Sequence, residues 1–246
     1  MNAIIDVSRL SWAELTEMHE AAAEVVLCQR VLAKTGDNVV AEVLRESPSF
    51  YEWHHYPKGD VYDAEYHAQY YYHAHPEGQR AEGEHGHFHT FLRPFGMPDG
   101  IRPAPLPDYK PARNRNDELS HLVGISMDPA GQAIRLFTTN RWVTGETWYA
   151  ANDVIAMLDR FVIDHARPSW PTNRWIGAML RLFRPQIAVL LHERDRRIAR
   201  HQVKRRKNVY EDRDLEVTSE LRISVADQIV ALEEAMQDKR RPAAAD

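Results

Sequence analysis

A single cysteine, Cys28, among 246 residues excludes an internal disulfide framework and any zinc site built from thiolates. Long apolar runs are missing as well. AAAEVVLC at 21–28 is interrupted by Glu24, and nothing approaches the ~20 apolar residues of a membrane span. Positive charge is not in excess: 31 Lys and Arg stand against 36 Asp and Glu, for a net charge of −5. That balance leaves no electrostatic footprint for nucleic acid. The opening MNAIIDVSRL carries an acid early and lacks the basic-then-apolar order of a signal peptide. These absences predict a cytoplasmic protein that meets a small-molecule substrate or ligand, with neither nucleic acid nor membrane as partner. The 43% hydrophobic content is enough for a substantial core.

What is present falls into blocks. Ser11 and Glu14 stand at capping-box spacing, with Leu10 and Leu15 placed as a hydrophobic staple. Leu15, Met18, Ala22, Val25, Val26 and Leu32 then recur at helical intervals. A second short helix is expected after Asp37, ended by Pro48. Near residue 50 the period drops to two. YPKGD at 56–60 reads as a turn, and residues 66–75 and 85–93 read as strands about a loop holding Pro76, Gly78 and Gly83. Two more strands, 121–127 and 132–138, flank the DPAG turn at 128–131. Six of the 14 prolines lie in 94–112, a stiff extended stretch placed as a lid between strands would be. Helical spacing returns after residue 150, with Asn152 and Thr172 as caps, Pro185 as a kink or restart, and Ser224 with Asp227 capping a final helix. Residues 215–225 are ambiguous between strand and coil. The basic run at 192–207 reads as a solvated helix end, and the tail KRRPAAAD as disordered. The expected fold is α+β in one domain: N-terminal helices (about 8–46), a central antiparallel β-meander (50–148), C-terminal helices (150–207) and a C-terminal extension (208–246).

Between 73 and 89 stand five histidines, all at odd numbers: His73, His75, His85, His87 and His89. Side chains alternate across a strand, so one parity is one face. A hairpin folded about residue 80 sets His75 opposite His85, His73 opposite His87 and Tyr71 opposite His89. Tyr66, Ala68, Tyr70, Tyr72 and Ala74 then face Gly86, Phe88, Thr90 and Leu92 on a core-like side. An H-x-H pair spaces two Cα atoms by roughly 6.6 Å, near enough for both imidazoles to reach one ion at ~2.0–2.1 Å. The six candidate metal ligands are these five histidines and His121, more than one ion can take. Three neutral imidazoles leave an open coordination position suited to catalysis. Glu84 either completes a histidine–carboxylate set of the non-haem iron kind or acts as an acid/base beside the ligands. The implied cofactor is a divalent transition metal, Fe, Cu or Zn. A merely solvated polar face is the plainer reading, and a cluster this large is hard to fit to it. His19, His165, His192 and His201 sit in helical segments and read as structural, while His54, His55 and His67 are left without a role.

Two further stretches carry chemistry. In FTTNRWVTGETW at 137–148, Arg141 can clamp a substrate carboxylate or phosphate; the plain alternative pairs Arg141 with Glu146 across a hairpin. In KGDVYDAEY at 58–66, Asp60, Tyr62 and Asp63, close to the histidine strand, read as turn residues first and as partners for imidazole N–H groups second.

The stretches QYYYHAH (69–75), EHGHFH (84–89) and TTNRWVTGETW (138–148) resemble an uncharacterised bacterial protein family over roughly residues 50–200. That resemblance implies no activity. H-x-H followed by a distant His is also similar to the metal strands of cupins, but Thr90–Arg93 lacks the glutamate that cupins place there. The residues themselves predict a metal-dependent enzyme with a mononuclear site on a β-hairpin. Redox or oxygen chemistry stands slightly ahead of zinc hydrolysis because tyrosines and tryptophans surround the site. The alternative is a protein that binds a metal or small ligand without turnover.

Overall fold

The computed structural model describes residues 5–106, 109–204 and 208–240. The chain enters through α1 (Trp12–Ala33), and the capping box forms as its spacing predicts. Ser11 Oγ accepts from the Glu14 N–H at 3.2 Å, and the Glu14 carboxylate accepts from the Ser11 N–H at 2.8 Å. Leu15, Met18, Ala22, Val25 and Leu32 are buried, whereas Val26 of the same pattern is exposed. Asn38 caps α2 (Val39–Leu44), its Oδ1 accepting from the Val40 and Ala41 N–H groups at 2.9 Å.

Six antiparallel strands follow in simple sequence order. They are β1 (Tyr56–Tyr62), β2 (Ala68–His73), β3 (Gly86–Leu92), β4 (Ser120–Met127), β5 (Ala133–Thr139) and β6 (Val217–Arg222). The YPKGD segment lies inside β1 rather than forming a turn. Its Gly59 and Asp60 have φ of 85° and 58°, and the β1–β2 register shifts between Tyr56 and Val61. A turn and a strand irregularity need the same positive-φ residues, so local composition does not separate them. Within the ambiguous 215–225 stretch, β6 is a strand and pairs with β5, so part of the expected extension belongs to the sheet.

One face of the sheet meets the helices. Tyr70, Tyr72, Phe88, Leu92, Val123, Ile125 and Leu136 join the residues of α1 and of α5 (Trp170–Leu182) in one buried cluster. Phe88 and Trp175 rings stand 6.1 Å apart, and the Tyr70 hydroxyl donates to Asn173 Oδ1 at 2.5 Å. Tyr66, placed on this face by its parity, precedes β2 and is exposed. After β5 comes the short α3 (Arg141–Thr144). Then α4 (Ala151–Met157) is capped at Ala150, two residues before the expected Asn152: the Ala151 N–H is taken by Asp195 Oδ2 at 2.7 Å, from the distant α6 (Arg184–Lys204). Likewise α5 starts from Ser169, with Pro171 in its first turn and Thr172 inside the helix, because proline fits where no N–H partner is needed. Pro185 sits in the first turn of α6, so the proline restarts the helix. Ser224 Oγ accepts from the Asp227 N–H at 3.2 Å at the start of α7 (Val225–Arg240). The expectations for 205–207 of the basic run and for 241–246 of the tail lie outside the described residues. No helix among the described residues is long and apolar enough to cross a membrane.

Candidate metal centre

The hairpin register matches the symmetric fold about residue 80: His73 pairs with His87, and Tyr71 with His89. It fails only at its outer end. β2 ends at His73 and β3 begins at Gly86, so His85 lies beyond the alternation that would hold it with the others. Its Nδ1 meets the Tyr72 hydroxyl at 2.7 Å and its ring lies 5.3 Å from Phe50, so it turns to the opposite face. Gly86 permits this: a Cβ there would stand 2.6 Å from the Tyr72 hydroxyl.

His73, His87 and His89 converge, each offering a ring nitrogen within 4.8 Å of the others. His73 Nε2 and His87 Nε2 are 2.7 Å apart. On the far side of its ring, His87 Nδ1 donates to Glu84 Oε1 at 2.8 Å, and Arg135 donates to Glu84 Oε2 at 2.8 Å. Burial opposes the charge on Glu84, yet the His87 hydrogen bond and the Arg135 guanidinium hold its pKa down to about 2. An ionised Glu84 therefore fixes the proton on His87 Nδ1 and leaves Nε2 bare. Glu84 thus turns one carboxylate oxygen to the outer nitrogen of His87 and the other to Arg135.

His121 reaches the same face through a register shift. Thr90 pairs with Val123 but Phe91 pairs with His121, so Leu122 is an extra residue that reverses the parity of β4. His121 Nε2 then meets His89 Nδ1 at 2.9 Å, and His121 Nδ1 meets Thr139 Oγ1 at 3.4 Å. With His121 protonated on Nδ1, its Nε2 accepts from His89 Nδ1–H and the His89 Nε2 lone pair is free. His121 thus orients His89, as Glu84 orients His87. Its own backbone N–H donates to Glu146 Oε2 at 2.7 Å. Burial pushes the Glu146 carboxyl up to about 8, against the pull of Arg194 and that N–H.

Tyr71, Phe91 and Phe137 wall the cluster. The Phe137 ring lies 5.1 Å from His87 and 5.7 Å from His89, over Gly124, where a Cβ would collide with it. Burial, with repulsion from neighbouring imidazoles, lowers the pKa of His73 to about 2 and of His75 to about 4. Burial and Arg194 lower His121 to about 3, and burial holds His89 well below its ordinary value. Rings kept neutral in this way retain their lone pairs.

His75 occupies the rim, 5.1 Å from His73 and 5.2 Å from His87 between ring centroids. It stacks on Trp53 at 4.4 Å, and Glu216 lies 3.9 Å away. His55, given no role from the sequence, belongs to the same face. Its ring lies flat on Tyr71 at 3.6 Å, and its Nδ1 bonds Asp60 Oδ1 at 3.0 Å. An odd residue number one place before a strand was its only sequence signal. Asp63 is the turn residue it resembled, accepting from the Glu65 and Tyr66 N–H groups.

Arg141 is not brought to the histidines. Its guanidinium pairs with Glu211, a residue 70 positions along the chain, and not with Glu146. The proline-rich stretch packs elsewhere too: Ala104 N–H donates to Trp148 O at 2.8 Å, and the Tyr109 hydroxyl donates to Glu118 Oε1 at 2.7 Å.

Fold and site together define an α+β protein whose antiparallel meander carries a three-histidine cluster backed by a buried carboxylate. The chain belongs to the family described as Domain of unknown function (DUF6969), whose model matches residues 19–223. No curated protein and no solved structure matches it.

Proposed function

We propose that this protein is a metal-dependent enzyme in which His73, His87 and His89 hold one divalent transition ion, Fe, Cu or Zn, and a small-molecule substrate takes the open position. The observation that carries the reading is the convergence of three ring nitrogens within 4.8 Å with Glu84 on the outer nitrogen of His87. Tetrahedral nitrogen ligands at ~2.0–2.1 Å from an ion stand about 3.3 Å apart. His73 and His87, whose Nε2 atoms stand 2.7 Å apart, would both turn Nε2 to the ion, with the His73 proton carried on Nδ1. When bound, the ion supplies Lewis acidity or a redox couple at its open position. The chain supplies the rest: Glu84 and His121 hold two ligands in orientation, and Tyr71, Phe91 and Phe137 exclude water. Glu84 is committed to His87 and Arg135, so it is not free to serve as the base that hydrolysis uses. That commitment favours redox or oxygen chemistry at iron or copper over hydrolysis at zinc. A cytoplasmic site without nucleic-acid or membrane partners completes this reading.

A second reading, metal binding without turnover, draws on His75, whose ring is near enough to His73 and His87 to close the fourth position. Elemental analysis of wild type, His85→Ala and His87→Ala tests the main reading. We expect about one ion per chain in the first two and loss in a folded His87→Ala. Absence of metal from wild type after anaerobic reconstitution with each ion would falsify it. An ion that shows no exchangeable water until His75 is replaced, by spin resonance in isotopically labelled water, shifts the assignment to the second reading.

A further inference from the structure

Trp53 has a φ of 67°, in the left-handed region that a bulky side chain enters only under strain. Glycine would take that conformation freely, so the backbone gives no reason for a tryptophan. Its N–H donates to Ala74 O at 2.9 Å, its indole stacks on His75 at 4.4 Å, and the residue is still 54% exposed. A second strained residue, Asp60 (φ 58°), turns its carboxylate to His55, whose ring lies on Tyr71. Tyr51, 59% exposed, stands beside His54 at 5.3 Å. At the rim of the histidine cluster the Trp53 indole and the His55 imidazole thus each lie against an inner ring, His75 and Tyr71, and remain exposed to solvent.

We propose that Trp53 is a specificity-determining residue, a stacking platform at the mouth of the histidine site that takes a flat aromatic ring. The inference rests on the metal-site reading above and names its substrate class. Carboxylates outnumber guanidinium groups at this rim: Glu216 lies by His75 and Asp60 by His55, while Arg80 is paired with Glu52. The ring is accordingly neutral or cationic, since an anionic ring would meet like charge. The Ala74 carbonyl and the His75 ring hold Trp53 in its strained conformation, and backbone strain of this kind gathers at functional sites.

Calorimetric titration with phenol and with indole, and with cyclohexanol as the saturated control, tests this on wild type, Trp53→Phe and Trp53→Gly, with metal content measured in each. We expect both aromatic probes to bind wild type and Trp53→Phe, and cyclohexanol not to bind. In Trp53→Gly, affinity should fall about tenfold, the size of one aromatic contact, while metal content holds and the melting temperature stays level or rises. Equal binding by Trp53→Gly, equal binding of cyclohexanol, or a lowered melting temperature in Trp53→Gly overturns the proposal; the last would make the indole a structural plug. The two readings fail separately. Wild type that holds metal but binds no ring removes the platform alone, and wild type that binds rings through Trp53 but takes up no metal removes the metal site alone.

Discussion

The two faces of the β2–β3 hairpin are both buried, and they stay buried by different means. Tyr70, Tyr72, Phe88 and Leu92, each 0% exposed, lie in the helix-covered core, where apolar area removed from water stabilises them. His89, His87 and His73, at 1%, 4% and 8% exposure, are polar groups whose burial is costly unless each is hydrogen-bonded. The sheet meets that cost with a chain of partners from Arg135 through Glu84 and His87 to His73, and a second from Thr139 through His121 to His89. The core face depends chiefly on the shape and apolar area of its side chains. The histidine face depends on which nitrogen carries each proton.

Three perturbations press on that contrast. The largest effect belongs to the core face: Phe88→Ala should cost about 3–5 kcal/mol in urea unfolding, with the metal content of the fraction that remains folded unchanged. Next comes Glu84→Gln, which should lower the unfolding midpoint by breaking the buried pair with Arg135 and weaken metal affinity by about 10–100-fold in competition with a chelator, because the partner that orients His87 is lost. A metal affinity equal to wild type would show that Glu84 serves Arg135 rather than His87.

The smallest and most diagnostic effect is on pH. His73, His75 and His121 have folded pKa values of about 2, 4 and 3, below the ordinary value near 6.5. Above 6.5 these histidines are neutral in both states and contribute no slope, while Glu146, raised to about 8 in the folded protein, makes stability fall as pH rises toward that value. As pH falls below 6.5 the unfolded histidines bind protons that the folded ones refuse, so stability falls with pH toward those folded values. Urea midpoints of the metal-free protein should therefore drop between pH 6.5 and 4, with the same slope in wild type and Phe88→Ala. A flat profile would mean that the buried imidazoles are not held neutral.

Much of this was legible one segment at a time. Period-two spacing on either side of the 76–84 loop is enough to put His73, His87 and His89 on one face, because a symmetric hairpin has few registers that keep Tyr70, Tyr72 and Phe88 inside. The capping box at Ser11 and the cap at Ser224 act within three residues and were equally readable. Asn152 and Thr172 misled because the groups that start those helices, Asp195 and the Ser169–Pro171 segment, obey tertiary or positional constraints that a cap-forming residue type does not reveal. His85 misled because parity speaks only for residues inside a strand.

By itself, then, the sequence determined the α+β order, the meander and the parity that gathers the imidazoles, all set by periodicities of two and 3.6 that neighbouring residues impose. Only the tertiary structure decided which histidines converge. The extra residue Leu122 brought His121 across the sheet, β1 carried His55 alongside His73, and Arg135 from a strand 51 residues away locked Glu84 onto His87. Register shifts and long-range partners depend on how whole strands settle against one another, and that balance of many packing contacts is not written in any short stretch of the chain.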